Sequence, residues 1–159
     1  MKTRIAVLIA IGIVLSVVIG GCAVPQAGGL RPSGTQFSSQ WVEIGMGGMM
    51  SIPGEGLSLA LDLKNKGKQT VYVLVVFDTP DPSQRCEIAK QLDASQSALF
   101  SCPQNSLAPN ADYPIEIEIY TDEGRTILVE NPTTKFLFSE KDVKAFNEAS
   151  RALETEGAK

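Results

Sequence analysis

Apolar and polar residues alternate along much of this chain, and the alternation predicts strands. Leu57, Leu59, Leu61 and Leu63 are separated by Ser58, Ala60 and Asp62, the period of a half-buried strand. Ile115, Ile117 and Ile119 alternate with Glu116, Glu118 and Tyr120 in the same way. Thr70 to Phe77 is apolar on both faces and rich in β-branched residues, which predicts a central strand. Shorter strands are expected at Trp41–Ile44, 85–92, 97–102, Thr126–Glu130 and Lys135–Phe138. Between them lie turn residues: Lys64-Asn65-Lys66-Gly67-Lys68, Asp78-Thr79-Pro80-Asp81-Pro82, Thr121-Asp122-Glu123-Gly124-Arg125 and Asn131-Pro132. Gly45 to Gly56 holds five glycines and a proline and is expected to be a loop.

The period changes after Phe138. Ser139-Glu140-Lys141-Asp142 has the form of a capping box, and Val143, Phe146, Ser150 and Leu153 follow at helical spacing. A helix over about 140–154 with a narrow apolar stripe is expected to pack on a sheet edge or a sandwich end. Seven or eight short strands with turns between them, and one C-terminal α-helix, predict an all-β antiparallel β-sandwich.

The first residues follow a different pattern. Lys2 and Arg4 precede an uncharged stretch from Ile5 to Ile19 that ends in Gly20-Gly21, the layout of a secretory signal. A membrane span is the alternative, because the uncharged run to Val24 just reaches the roughly 17–25 residues needed. Two glycines followed by Pro25 make a poor end for such a helix. Ile19-Gly20-Gly21-Cys22 resembles the lipobox of bacterial lipoproteins. The resemblance implies cleavage before Cys22, lipid on its sulfur and usually acylation of the new N-terminus. Two or more acyl chains hold a protein stably at a membrane without a spanning helix. Ala23 stands where an aspartate would retain a Gram-negative lipoprotein at the inner membrane, so the resemblance implies the periplasmic face of the outer membrane. The expected layout is a signal peptide at 1–21, a flexible tether at 22–40 and a sandwich domain with its helix at 41–159. Gly, Pro, Ser and Gln dominate the tether, which as a coil would extend on the order of 20–25 Å.

Charge and cysteines fit an exported domain. The full chain carries a net charge of −4, and loss of Lys2 and Arg4 makes the remainder more acidic. That disfavours nucleic acid and electrostatic adhesion to anionic lipid. Besides Cys22, the chain has Cys86 and Cys102, an even pair for which a disulfide is the default in an oxidising compartment. A loop of about 15 residues is worth roughly 3 kcal/mol in the chain-entropy model. Redox or metal roles for the pair are disfavoured by the absence of a Cys-x-x-Cys spacing and of any histidine.

Leu107-Ala108-Pro109-Asn110-Ala111-Asp112-Tyr113, followed by an alternating strand, resembles the E–F corner of fibronectin type III and related immunoglobulin-like domains. The resemblance implies an immunoglobulin-like sandwich, with the Tyr113 hydroxyl bonded to upstream backbone and Leu107 packed beneath it. Pro114 is a departure, tolerated at the start of a strand.

Candidate chemistry is sparse. The chain has no histidine, the commonest general base and metal ligand. Glu116 and Glu118 share the outer face of an isoleucine-lined strand and are expected to be solvated. Asp78, Asp81, Asp112, Asp122 and Glu123 lie in turns without Ca²⁺-loop spacing. Met46, Met49 and Met50 are soft ligands in kind and weak candidates for Cu(I), more simply read as packing residues. The expectation is a non-enzymatic protein-interaction or assembly module of the cell envelope, without a cofactor, held to the membrane through lipid on Cys22 and docking an envelope protein. The alternative is a periplasmic binder of a small ligand or metal, Cu(I) or Ca²⁺.

Overall fold

The computed structural model describes residues 37–52 and 55–157. The proposed signal peptide, Cys22 and the tether up to residue 36 lie outside the described residues. Eight strands and one helix follow in order: β1 (Val42–Ile52), β2 (Gly56–Asn65), β3 (Val71–Phe77), β4 (Cys86–Leu92), β5 (Ser97–Pro103), β6 (Asp112–Tyr120), β7 (Leu128–Glu130), β8 (Thr133–Leu137) and α1 (Glu140–Gly157). A single 3-10 turn, Pro82–Gln84, precedes β4.

The strands form two antiparallel sheets. One is β1-β2-β5; the other is β4-β3-β6, with β6 flanked on its far side by β8 and β7 in turn. The chain therefore changes sheet between β2 and β3, between β4 and β5, and between β5 and β6. This is the Greek-key connectivity of an all-β, immunoglobulin-like sandwich. β7 and β8 behave as one interrupted edge strand. β8 pairs with Asp112–Glu116, β7 pairs with Ile119 and Tyr120, and the Ile117 amide donates to the Pro132 carbonyl between them.

The alternation builds the core. Leu59, Leu61 and Leu63 of β2 face Val71, Val73, Val75 and Phe77 of β3 and Ile115, Ile117 and Ile119 of β6, all buried in one cluster. Truncating any such leucine to alanine costs about 2–5 kcal/mol. At one end Tyr113 and Phe138 pack with ring centroids 5.3 Å apart. Val143 and Phe146 of α1 join the same cluster, and the helix packs against β2. Its N-terminus is closed by a reciprocal cap. The Ser139 hydroxyl donates to the Asp142 carboxylate at 2.6 Å, and the Asp142 amide donates to Ser139 Oγ at 3.2 Å.

Gly45–Ile52 is the main departure from the sequence pattern. It is strand, not loop, and β1 runs as one edge strand through the glycines with a bulge between Ile44 and Gly47. The glycines serve close approach. A Cβ at Gly47 would lie 3.0 Å from both Leu61 Cδ1 and Phe136 Cζ. Smaller departures are a shorter β7, a β8 that begins at Thr133, and a helix that continues to Gly157.

Candidate interaction surface

The described chain begins against β7. The Ser39 hydroxyl donates to the Glu130 carboxylate and accepts the amides of Trp41 and Val42, each at 3.1 Å. The Gln40 amide reaches both Glu130 oxygens at 3.2 Å, and Lys66 Nζ donates to the Ser39 carbonyl at 2.8 Å. Ser39 is buried, so the segment leading into β1 is fixed to the far sheet as well as to its own.

Among the described residues, the longest run of exposed apolar residues lies just before Glu130. Ile127, Leu128 and Val129 are 57%, 50% and 37% exposed. Leu128 and Val129 are neighbours in β7 and point to opposite faces, so the described residues cover neither face there. β7 also ends the sheet path, so among the described residues no strand pairs with its outer backbone edge. Edges of this kind are templates for another strand, and contiguous exposed apolar residues mark contact sites.

The turn that presents this triplet is held by Asp122. Its carboxylate accepts the amides of Ile127 (2.7 Å) and Thr126 (3.0 Å) and the Thr126 hydroxyl (2.9 Å). These bonds, the Ile127 amide first, hold the carboxyl below the usual aspartate range. Sequence reading found the turn and the return strand but not the exposure, since an apolar run on an uncovered edge reads like any buried strand.

Cys86 and Cys102 are joined in a disulfide, with Cα atoms 5.7 Å apart. It links β4 of one sheet to β5 of the other at the sandwich margin, closing the open end of the β4–β5 connection. The E–F segment forms a tyrosine corner. Tyr113 Oη accepts the Ala108 amide at 2.6 Å and lies 3.4 Å from the Ala108 carbonyl, and burial raises the phenol's pKa. Leu107 is buried in the same cluster, and both its backbone groups bond the Asn147 side chain of α1 at 3.0 and 3.2 Å.

The structure does not bring the three methionines together. Met49 packs against the core, Met50 points to the opposite face of β1, and Met46 is exposed at the bulge. The turn acids have separate tasks. Asp81 caps the 3-10 turn through Ser83, Asp112 pairs with Lys135, and Asp78 lies 4.0 Å from Arg85. Among the described residues no group of three or more His, Cys, Asp or Glu side chains converges as a metal site, and no helix is long and apolar enough to cross a membrane. A residue that sequence reading passed over is Asn65. It was placed in a charged turn and is instead fully buried, with its amide nitrogen within 3.2 Å of the carbonyls of Gln69, Leu92 and Asp93.

A scan of family models matches none to this chain, and searches of curated proteins and of solved structures find no match.

Proposed function

We propose that this chain is a lipid-anchored lipoprotein of the cell envelope, and that its sandwich is a non-enzymatic docking module for an envelope protein. Two observations support the reading. The lipobox-like Ile19-Gly20-Gly21-Cys22 ends a basic-then-apolar leader, and Ala23 favours the periplasmic face of the outer membrane. The observation that carries the docking role is the uncovered β7 edge with Ile127, Leu128 and Val129 exposed side by side. A partner's extended segment would add to this edge, with main-chain hydrogen bonds for affinity and apolar side chains against the triplet for specificity.

The test has two arms. Metabolic labelling with an alkyne fatty acid should mark the full chain and fail on Cys22→Ser; equal labelling of both forms removes the anchor. A photo-cross-linker at Leu128 should give a discrete adduct with one envelope protein, absent when the cross-linker sits at Gln91 on the opposite edge strand. No adduct, or the same adducts from both positions, removes the docking role and leaves the anchor standing.

A further inference from the structure

The outer face of the five-stranded sheet carries a cleft of about 260 Å³, lined among others by Tyr72, Ala89, Lys90, Gln91, Glu123 and Arg125. Tyr72 of β3 stands opposite Gln91 of β4, and both line the cleft; on its other side Tyr72 pairs with Tyr120 of β6, whose hydroxyl donates to Glu118. Tyr72 and Tyr120 are half-buried and Gln91 is exposed.

The rim comes from the β6–β7 turn, which supplies Glu123 and Arg125. The Asp122 bonds fix this turn, and the Arg125 amide donates back to the Asp122 carbonyl at 3.0 Å. Arg125 sits at φ 53°, a left-handed conformation that few residues other than glycine adopt readily. The turn thus tolerates an unfavoured backbone while holding a guanidinium at the cleft.

The chemistry of this surface is specific. A tyrosine ring offers a flat apolar face with a polar tip. The Glu123 carboxylate and Arg125 guanidinium are planar groups, each able to engage two adjacent polar atoms, while Gln91, whose amide nitrogen donates to the Asp93 carboxylate at 2.9 Å, offers its carbonyl oxygen as an acceptor. A flat apolar floor with a planar hydrogen-bonding rim complements a pyranose ring, which has a C–H face and a hydroxyl edge. The lining carries two cations, Lys90 and Arg125, and one carboxylate, Glu123. The Lys90 ammonium is engaged elsewhere, on the Leu99 carbonyl and over the Phe100 ring. Away from this lining the chain is acidic, with a net charge of −4, which opposes a polyanion. The cleft is smaller than the roughly 300–1,000 Å³ of drug-sized pockets and shallow, which suits one unit of a chain passing over it.

We propose that this cleft is a glycan-binding subsite that takes one ring of an extended, uncharged hexopyranose chain, with the ring's C–H face on Tyr72 and its hydroxyl edge toward Gln91, Glu123 and Arg125. The site uses other side chains than the docking edge, although both lean on the turn held by Asp122.

The full chain in detergent is titrated with chitotetraose and cellotetraose by calorimetry, with heparin as a polyanionic control. Saturable binding of at least one tetrasaccharide is expected. Tyr72→Ala and Arg125→Gly should each weaken it about tenfold, the loss of one good contact. Arg125→Gly also keeps the protein measurable if Tyr72→Ala does not fold, because glycine takes the left-handed conformation freely. Met46→Ser, at an exposed position of β1 in the other sheet, should leave glycan affinity unchanged, which separates loss at the cleft from a general effect on the sandwich. No saturable binding, affinity indifferent to both cleft variants, or heparin binding as tightly as the tetrasaccharides overturns the proposal.

Discussion

The side-chain amide of Asn65 donates to the Leu92 carbonyl at 3.0 Å and so ties the end of β2 to the end of β4, across the two sheets. The same nitrogen reaches Gln69 and Asp93 carbonyls, and Asn65 Oδ1 accepts the Gly67 amide at 2.8 Å. Two turns from opposite layers therefore share one buried side chain. Asn65→Leu should destabilise the protein by about 2–3 kcal/mol, since buried carbonyls lose their donor. Urea denaturation measures this, and a loss below about 0.5 kcal/mol would show that water replaces the amide without cost.

Tyr113→Phe removes the corner hydroxyl and leaves the Ala108 amide without its 2.6 Å acceptor. The expected loss is about 1–2 kcal/mol, with no change in sheet content, because the ring still packs on Phe138. The same denaturation experiment with circular dichroism checks both parts.

Gly47→Ala and Gly45→Ala form a controlled pair. At Gly47 the new methyl meets the Leu61 and Phe136 side chains inside the core, and overpacking of this kind costs about 1–3 kcal/mol. At Gly45 the nearest atom is the Asp62 carboxylate, the far end of a half-buried side chain rather than core packing. Gly45→Ala should therefore be the milder change, and a reversed order of melting temperatures would contradict the packing described for β1.

These glycines also explain what the sequence concealed. Alternating Leu and Ile in β2 and β6 announce their faces because each inward position is filled by its own side chain. In β1 the inward space at Gly47 is filled by neighbours, so the strand's own sequence carries turn residues and no period. Asn65 was hidden for the opposite reason. It sits among lysines that are exposed, and nothing local distinguishes the one residue whose partners are 27 positions away. The β7 edge was read as a strand, but its exposure depends on where the sheet stops, which is a property of the assembled layers.

Reduction of Cys86–Cys102 should cost about 3 kcal/mol, the entropy released when a loop spanning 16 positions is opened. Denaturation midpoints with and without reductant measure it, and Cys86→Ser/Cys102→Ser should match the reduced protein. A midpoint unmoved by reductant would mean that the β4–β5 margin needs no covalent closure.

Asp122 gives a pH dependence with a definite sign. Its folded pKa lies below the ordinary 3.8 because the ionised carboxylate accepts the Ile127 and Thr126 amides. A depressed carboxylate stabilises the folded state above the ordinary value, and that contribution disappears as pH falls through the lower folded value. Carboxyl NMR should place the Asp122 midpoint below 3.8, with the Ile127 amide shift following the same curve. A midpoint at or above the ordinary value would mean that the turn is not held in this way.

The bonds from Ser39 and Gln40 to Glu130 have a mechanical consequence. Tension arriving from the N-terminal side of Trp41 and resisted by a partner on β7 would reach this junction first, with the Lys66–Ser39 bond sharing the load. The β1–β2 ladder and the packed layers between the sheets would lie off that line of force. The domain would be pulled like a bead threaded near its rim, and would swivel before it unravelled.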